Sequence, residues 1–128
     1  MFSGRDVSMT TEPALIFAEP SGVIRAWNSG AEALFGHAAA DAIGQTLDLI
    51  VPPEYRERHW AGFKAAMAAG DGKIDRASAN IPALHRDGTV MRLAVRLLVI
   101  HDARDRAAGA LAVFAVDADE TAPPLPRL

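Results

Sequence analysis

"HRDGTVMRLAVRLLV", residues 85–99, is the stretch whose reading decides the fold. Asp87-Gly88 is the strongest short hairpin signal, because glycine takes the positive φ that tight turns between antiparallel strands demand. From Met91 the side chains alternate. Met91, Leu93, Val95, Leu97 and Val99 fall on one face, with Arg92 and Arg96 on the other. A period of two with one apolar face predicts a long antiparallel strand laid on a core. Its hairpin partner is the run from Ile74 to Ala83. Beyond a polar connection, His101 to Ala108, GALAVFAV (109–116) predicts one further strand.

Working outward to the N-terminus, ALIFA (14–18) and VIRAW (23–27) flank Glu19-Pro20-Ser21-Gly22, a turn sequence, so they form a hairpin. Asn28 and Ser29 are N-caps for a short helix carrying Ala31, Leu34 and Phe35, which Gly36 ends. AAADAIG (38–44) gives another helical turn, and TLDLI (46–50) a third short piece before Pro52-Pro53. Pro53 suits the first position of a longer helix, with Glu54 complementing its positive end. That helix runs to about Ala69 and stops at Gly70-Asp71-Gly72. Two strands, several short helices and one longer one, then three strands assemble as α+β, an antiparallel sheet with helices on one face. Residues 1–12 read as a flexible segment, 13–117 as the domain and 118–128 as a flexible Pro-rich tail.

At 128 residues and 50% hydrophobic, the chain reads as one globular domain. A net charge of −3 without a basic stripe argues against nucleic acid and anionic membrane as partners. There is no cysteine, which excludes disulfides, thiolate metal sites, cysteine nucleophiles and flavin–cysteinyl photochemistry. No secretory signal is visible, and no window reaches the ~20 apolar residues of a membrane span. The expectation is a soluble, cytoplasmic protein.

The order of these features resembles a PAS domain. The likeness is carried by Gly22 and Ile24 in the opening hairpin, Trp27-Asn28, and the A-E-x-L-F-G run from Ala31 to Gly36. Ile43-Gly44, Pro52 with Arg56-x-Arg58-His59, Arg86 to Thr89, Gly109 and Phe114…Asp117 complete it, over about residues 12–117. The resemblance implies a five-stranded antiparallel sheet that cups a ligand against its helical face. It implies a sensory or dimerising role, feeding a separate output protein such as a kinase or regulator. Asp117 of the family's closing Asp-x-Thr is kept and the Thr is not, while Pro123, Pro124 and Pro126 argue against an output helix.

On the long helix Tyr55, His59, Gly62, Phe63 and Ala66 share one face. Taken alone, His59 is either a core-boundary histidine bonded to a carbonyl or a ligand. The haem-binding PAS domains of bacterial oxygen-sensing kinases carry their axial histidine in a similar Arg-x-x-His run. That resemblance implies haem b with His59 as metal ligand, Phe63 and Met67 at the porphyrin edge, and Ile74, Leu93, Val95 and Leu97 as an apolar distal wall. It also implies that the second ring nitrogen of His59 donates to a backbone carbonyl or water. Lys73, Arg76 or Arg58 would answer a propionate. Two positions depart from the pattern: Ala79 aligns with a ligand-responsive arginine, and Ala77 with the methionine of redox-sensing relatives. Weak discrimination for oxygen over carbon monoxide or nitric oxide follows. The alternatives are a cofactor-free interaction module or a binder of a small apolar ligand.

Elsewhere the chemistry is thin. His37, His85 and His101 fall in turns or loops, where solvation is the ordinary fate. No His/Asp/Glu cluster has metal-ligand spacing. Ser21, Ser29 and Ser78 lack a nucleophile elbow, and Trp27 reads as packing. No catalysis is expected. Ala94, Leu98 and Ile100, on the face with Arg92 and Arg96, are too apolar for full solvation and predict a homodimer through the sheet.

Overall fold

Alternation around Arg92 produces the longest strand, β4 (Val90–His101), in the computed structural model, which describes residues 12–69 and 75–116, with backbone alone at 75, 76 and 116. It pairs antiparallel with β3 (Asp75–Leu84) across the Asp87-Gly88 turn and with β5 (Ala107–Val116) on its other side. The opening hairpin, β1 (Ala14–Ala18) and β2 (Ile24–Trp27), joins through β1 to β5. The order is β2-β1-β5-β4-β3, one five-stranded antiparallel sheet. Between β2 and β3 lie α1 (Ser29–Phe35), α2 (Ala39–Ala42), 3-10 turns at Leu47–Ile50 and Pro53–Tyr55, and α3 (Arg56–Ala69). The expected α+β architecture is present.

Local chemistry fixes α1 against the sheet. The Asn28 side-chain oxygen accepts from the N–H of Ala31 at 2.9 Å and from that of Leu15, on β1, at 2.8 Å. One cap thus satisfies a helix terminus and ties it to a strand. Gly36 ends the helix at φ 85°, a left-handed conformation a Cβ would strain. Phe35, fully buried, lies edge-on to Phe114 with ring centroids 5.2 Å apart and 5.6 Å from Trp27. Trp27 is packing, as expected, with its indole N–H donating to the carbonyl of His37 at 2.9 Å.

Several elements depart from the sequence reading. Val23 lies outside β2 and forms an isolated bridge to Thr46. The long helix begins at Arg56, because Pro53–Tyr55 wind as a 3-10 turn after Pro52. β3 is bulged between Ser78 and Ile81, with Asn80 at φ 61°. His101 belongs to β4 and not to a loop. Nor is β4 a strand with one buried and one solvated face: Arg96 is only 4% exposed. Residues 1–11, Gly70-Asp71-Gly72, Lys73, Ile74, Asp117 and the Pro-rich tail lie outside the described residues. No described helix is long and apolar enough to cross a membrane.

Candidate functional site

Between α3, the two 3-10 turns and the inner face of the sheet lies a cavity of about 510 Å³. Register explains the space. Ala18 stands opposite Ala110, and Ala112 sits between Ile16 and Leu97, so the centre of the sheet carries small side chains. The facing side of α3 supplies Gly62 and Ala66, and no residue of that helix is fully buried. A cavity beneath the apolar face of a helix is a candidate ligand site, and the size falls within the ~300–1,000 Å³ range of small-molecule pockets.

The polarity of the walls is lopsided. All sheet-side lining residues, from Ile16 and Ala18 through Ile81, Val95 and Leu97 to Phe114, are apolar. Polar side chains reach the cavity from one side only, as Tyr55, Arg58 and His59. The Arg58 guanidinium lies 5.9 Å from the Tyr55 ring centroid.

His59 is half-buried on this wall, between Trp60 edge-on at 5.0 Å and Phe63 stacked at 6.0 Å. Burial pushes its pKa below the ordinary histidine value, and the Asp48 carboxylate only partly opposes this. The ring is therefore neutral at pH 7, with a lone pair available. The sequence reading gave its second nitrogen a carbonyl or water to donate to. Among the described residues no carbonyl accepts from Nδ1, which is buried beside two aromatic rings that offer no acceptor atom.

The other sequence-predicted site residues are placed as follows. Phe63, Met67, Val95 and Leu97 line the cavity with His59. Leu93 does not. It is 2% exposed within the packed core, one register step beyond Val95, where the sheet is already filled by Ile81 and its neighbours. Ile74 and Lys73 lie outside the described residues, as does the Arg76 side chain. Ala79 sits in the β3 bulge, exposed and off the cavity wall, and Ala77 stands opposite Arg96.

The remaining histidines lie off the cavity wall. His85 Nδ1 accepts from the Asp87 N–H at 3.0 Å inside the β3–β4 turn. His37 is held below its usual pKa by burial first and then by Arg86 and His85, against Asp41. His101 Nε2 is buried with no hydrogen-bond partner among the described residues, contrary to the expected solvation. No cluster of three potential metal ligands occurs among the described residues.

Sequence reasoning missed the frame behind His59. Trp60 donates its indole N–H to Asp48 Oδ1 at 2.7 Å, while Arg56 donates to the carbonyls of Val51 and Asp48 at 3.0 and 3.2 Å. A separation of twelve residues between Asp48 and Trp60 leaves no periodic trace. Only the presence of a tryptophan beside the candidate ligand hinted at it.

Residues 8–116 match the model of the PAS fold. The chain belongs to the PAS family. Over 82 residues it is 38% identical to an uncharacterised protein of Azorhizobium caulinodans, which covers 63% of this chain and 11% of that one. Over 85 residues it is 29% identical to the sensor protein FixL of Bradyrhizobium diazoefficiens, covering 66% of this PAS chain and 17% of FixL. The chain thus spans less than a fifth of the length of either relative. Among solved structures, the PAS domain of a Colwellia psychrerythraea protein superposes with a TM-score of 0.69 at 24% identity, covering 89% of this chain and 94% of that domain. The five-stranded sheet and helical face described above are therefore those of the PAS fold.

Proposed function

We propose that this PAS domain is a haem-based sensor in which His59 is the axial ligand. One observation carries the reading: an imidazole that burial keeps neutral stands on the wall of a cavity whose only other polar lining side chains, among the described residues, are Tyr55 and Arg58. The residues fit the group. A porphyrin is a flat apolar disc, which Phe63, Met67, Val95 and Leu97 would pack, while Arg58 at the more exposed edge would face a propionate. When bound, the iron of such a group supplies an open coordination position for a gas. The chain's part is to present the imidazole, to exclude water with the alanine-rich sheet, and to bias which gas stays. The sheet side offers no side-chain donor among the described lining residues, so the chain would supply no hydrogen bond there that favours oxygen over carbon monoxide or nitric oxide. A flavin is the weaker reading, since the chain has no cysteine and no described lining residue is Asn or Gln.

The reading includes a homodimer through the outer sheet face, where Leu15 and Ile100 are 36% and 37% exposed and Leu98 half-buried. It includes a separate output protein and a cytoplasmic setting, and no turnover on this chain. A second reading, a small apolar ligand without iron, is favoured by the wholly apolar sheet wall. Haem titration into purified protein decides between them. A Soret band that saturates at one haem per chain supports the first; colourless protein carrying an extractable organic ligand supports the second.

A further inference from the structure

We infer that Trp60 is a positioning residue that sets the His59 ring for ligation. The inference deepens the proposed function and rests on it for its haem measurement. A histidine bound to metal ordinarily donates its other N–H to a carboxylate, carbonyl or water, which fixes ring rotation and tautomer. No described residue does this for His59, whose Nδ1 is buried without a partner. Two rings hold it instead, Trp60 edge-on at 5.0 Å and Phe63 stacked at 6.0 Å, and these two meet edge-to-face at 5.6 Å.

Trp60 is itself fixed from the far side. Its N–H donates to Asp48 Oδ1 at 2.7 Å. Its six-membered ring lies directly on Gly22, where a Cβ would collide with Cη2 and Cζ3. The segment carrying Asp48 is in turn bound to the β1–β2 turn: Leu47 N–H donates to the Gly22 carbonyl at 3.0 Å, and Ile24 N–H to that of Gln45 at 2.8 Å. Successive helix residues point about 100° apart. Locking Trp60 onto Asp48 and Gly22 therefore sets the rotation of α3 about its axis and directs His59 at the cavity. The hydrogen bond that would normally orient the ligand has been moved one residue along the helix.

The test uses Asp48→Ala, which removes the acceptor, Asp48→Asn, which keeps one, and Trp60→Phe, which keeps a ring without the N–H. In haem-free protein, NMR of the full chain should show one set of His59 ring signals with cross-peaks to the Phe63 ring. Asp48→Ala and Trp60→Phe should split or broaden these signals and lose the cross-peaks, while Asp48→Asn keeps them. Amide signals of β4 and β5 report that each variant is folded, and should Trp60→Phe unfold, the Asp48 pair decides alone. In haem titrations Asp48→Ala should bind about 10- to 100-fold more weakly, with Asp48→Asn close to the unaltered chain. Unchanged His59 signals in folded Asp48→Ala overturn the inference, as does undiminished haem affinity in that variant. If the unaltered chain takes up no haem, the proposed function falls, and the haem-free spectra still judge Trp60.

Discussion

Ala112→Leu probes the cavity directly. Ala112 lies on β5 between Ile16 and Leu97, at the floor of about 510 Å³ of space. Leucine adds three carbons, worth about 0.8 kcal/mol each when removed from water, or about 2.4 kcal/mol together. That is an upper figure, because the unfolded chain already shields part of its apolar surface. Fixing the new side chain costs about 0.5–1 kcal/mol. The ligand-free variant should thus be more stable by about 1.5 kcal/mol, an effect unusual for enlarging a side chain inside a domain. Urea unfolding followed by circular dichroism measures it, with an unchanged slope and, for a slope near 2 kcal/mol/M, a midpoint raised by roughly 0.7 M. The same leucine should abolish haem uptake. Destabilisation by about 1 kcal/mol or more would mean the space is already filled. Haem affinity equal to that of the unaltered chain would place the ligand elsewhere. Either result refutes the cavity reasoning.

Phe35→Ala removes a fully buried ring packed on Phe114 and Trp27, and should cost about 3–5 kcal/mol in the same urea assay. A loss below 1 kcal/mol would contradict its central place in the core. Burial holds the folded-state pKa of His59 below the ordinary histidine value, so between the two the unfolded chain binds more protons and stability rises with pH through that window. His37 acts with the same sign, so the measurement is the difference from His59→Gln: the variant's stability should change less between the two pH limits. Equal pH slopes would count against a buried His59. Sedimentation velocity should show a dimer that Leu98→Glu, on the outer face, converts to monomer. A monomeric unaltered chain at high concentration removes the sheet interface from the account.

Much of the fold was legible because its signals are local. Asn28, Gly36 and Asp87-Gly88 each announce a cap or turn within four residues, and the alternation of Met91 to Val99 announces a face. The stripe Tyr55, His59, Gly62, Phe63, Ala66 was legible as one face, supplied by the 3-10 turn at Tyr55 and by α3 for the rest, and all five residues line the cavity. What failed depends on distant partners. Leu93 and Val95 look alike along the strand, and only the cross-strand register decides which meets a filled core and which the cavity. The bulge that turns Ala79 outward rests on Asn80 taking φ 61°, a conformation that asparagine permits but does not dictate. Burial of Arg96, on the face the alternation assigned to polar residues, is set by tertiary packing and leaves no mark on the period. The Asp48–Trp60 bond joins segments with a proline pair between them, beyond the reach of any spacing rule.

Ligation by His59 is the central claim, and the most direct measurement is chemical rescue of His59→Gly. Glycine leaves a gap of imidazole shape on the cavity wall while the rest of the lining stays in place. The variant, supplied with haem, should show a weak and shifted Soret band, and added free imidazole should restore the spectrum of the unaltered protein with saturation. A variant that already shows the unaltered spectrum without imidazole, or one whose spectrum imidazole does not change, would contradict the account.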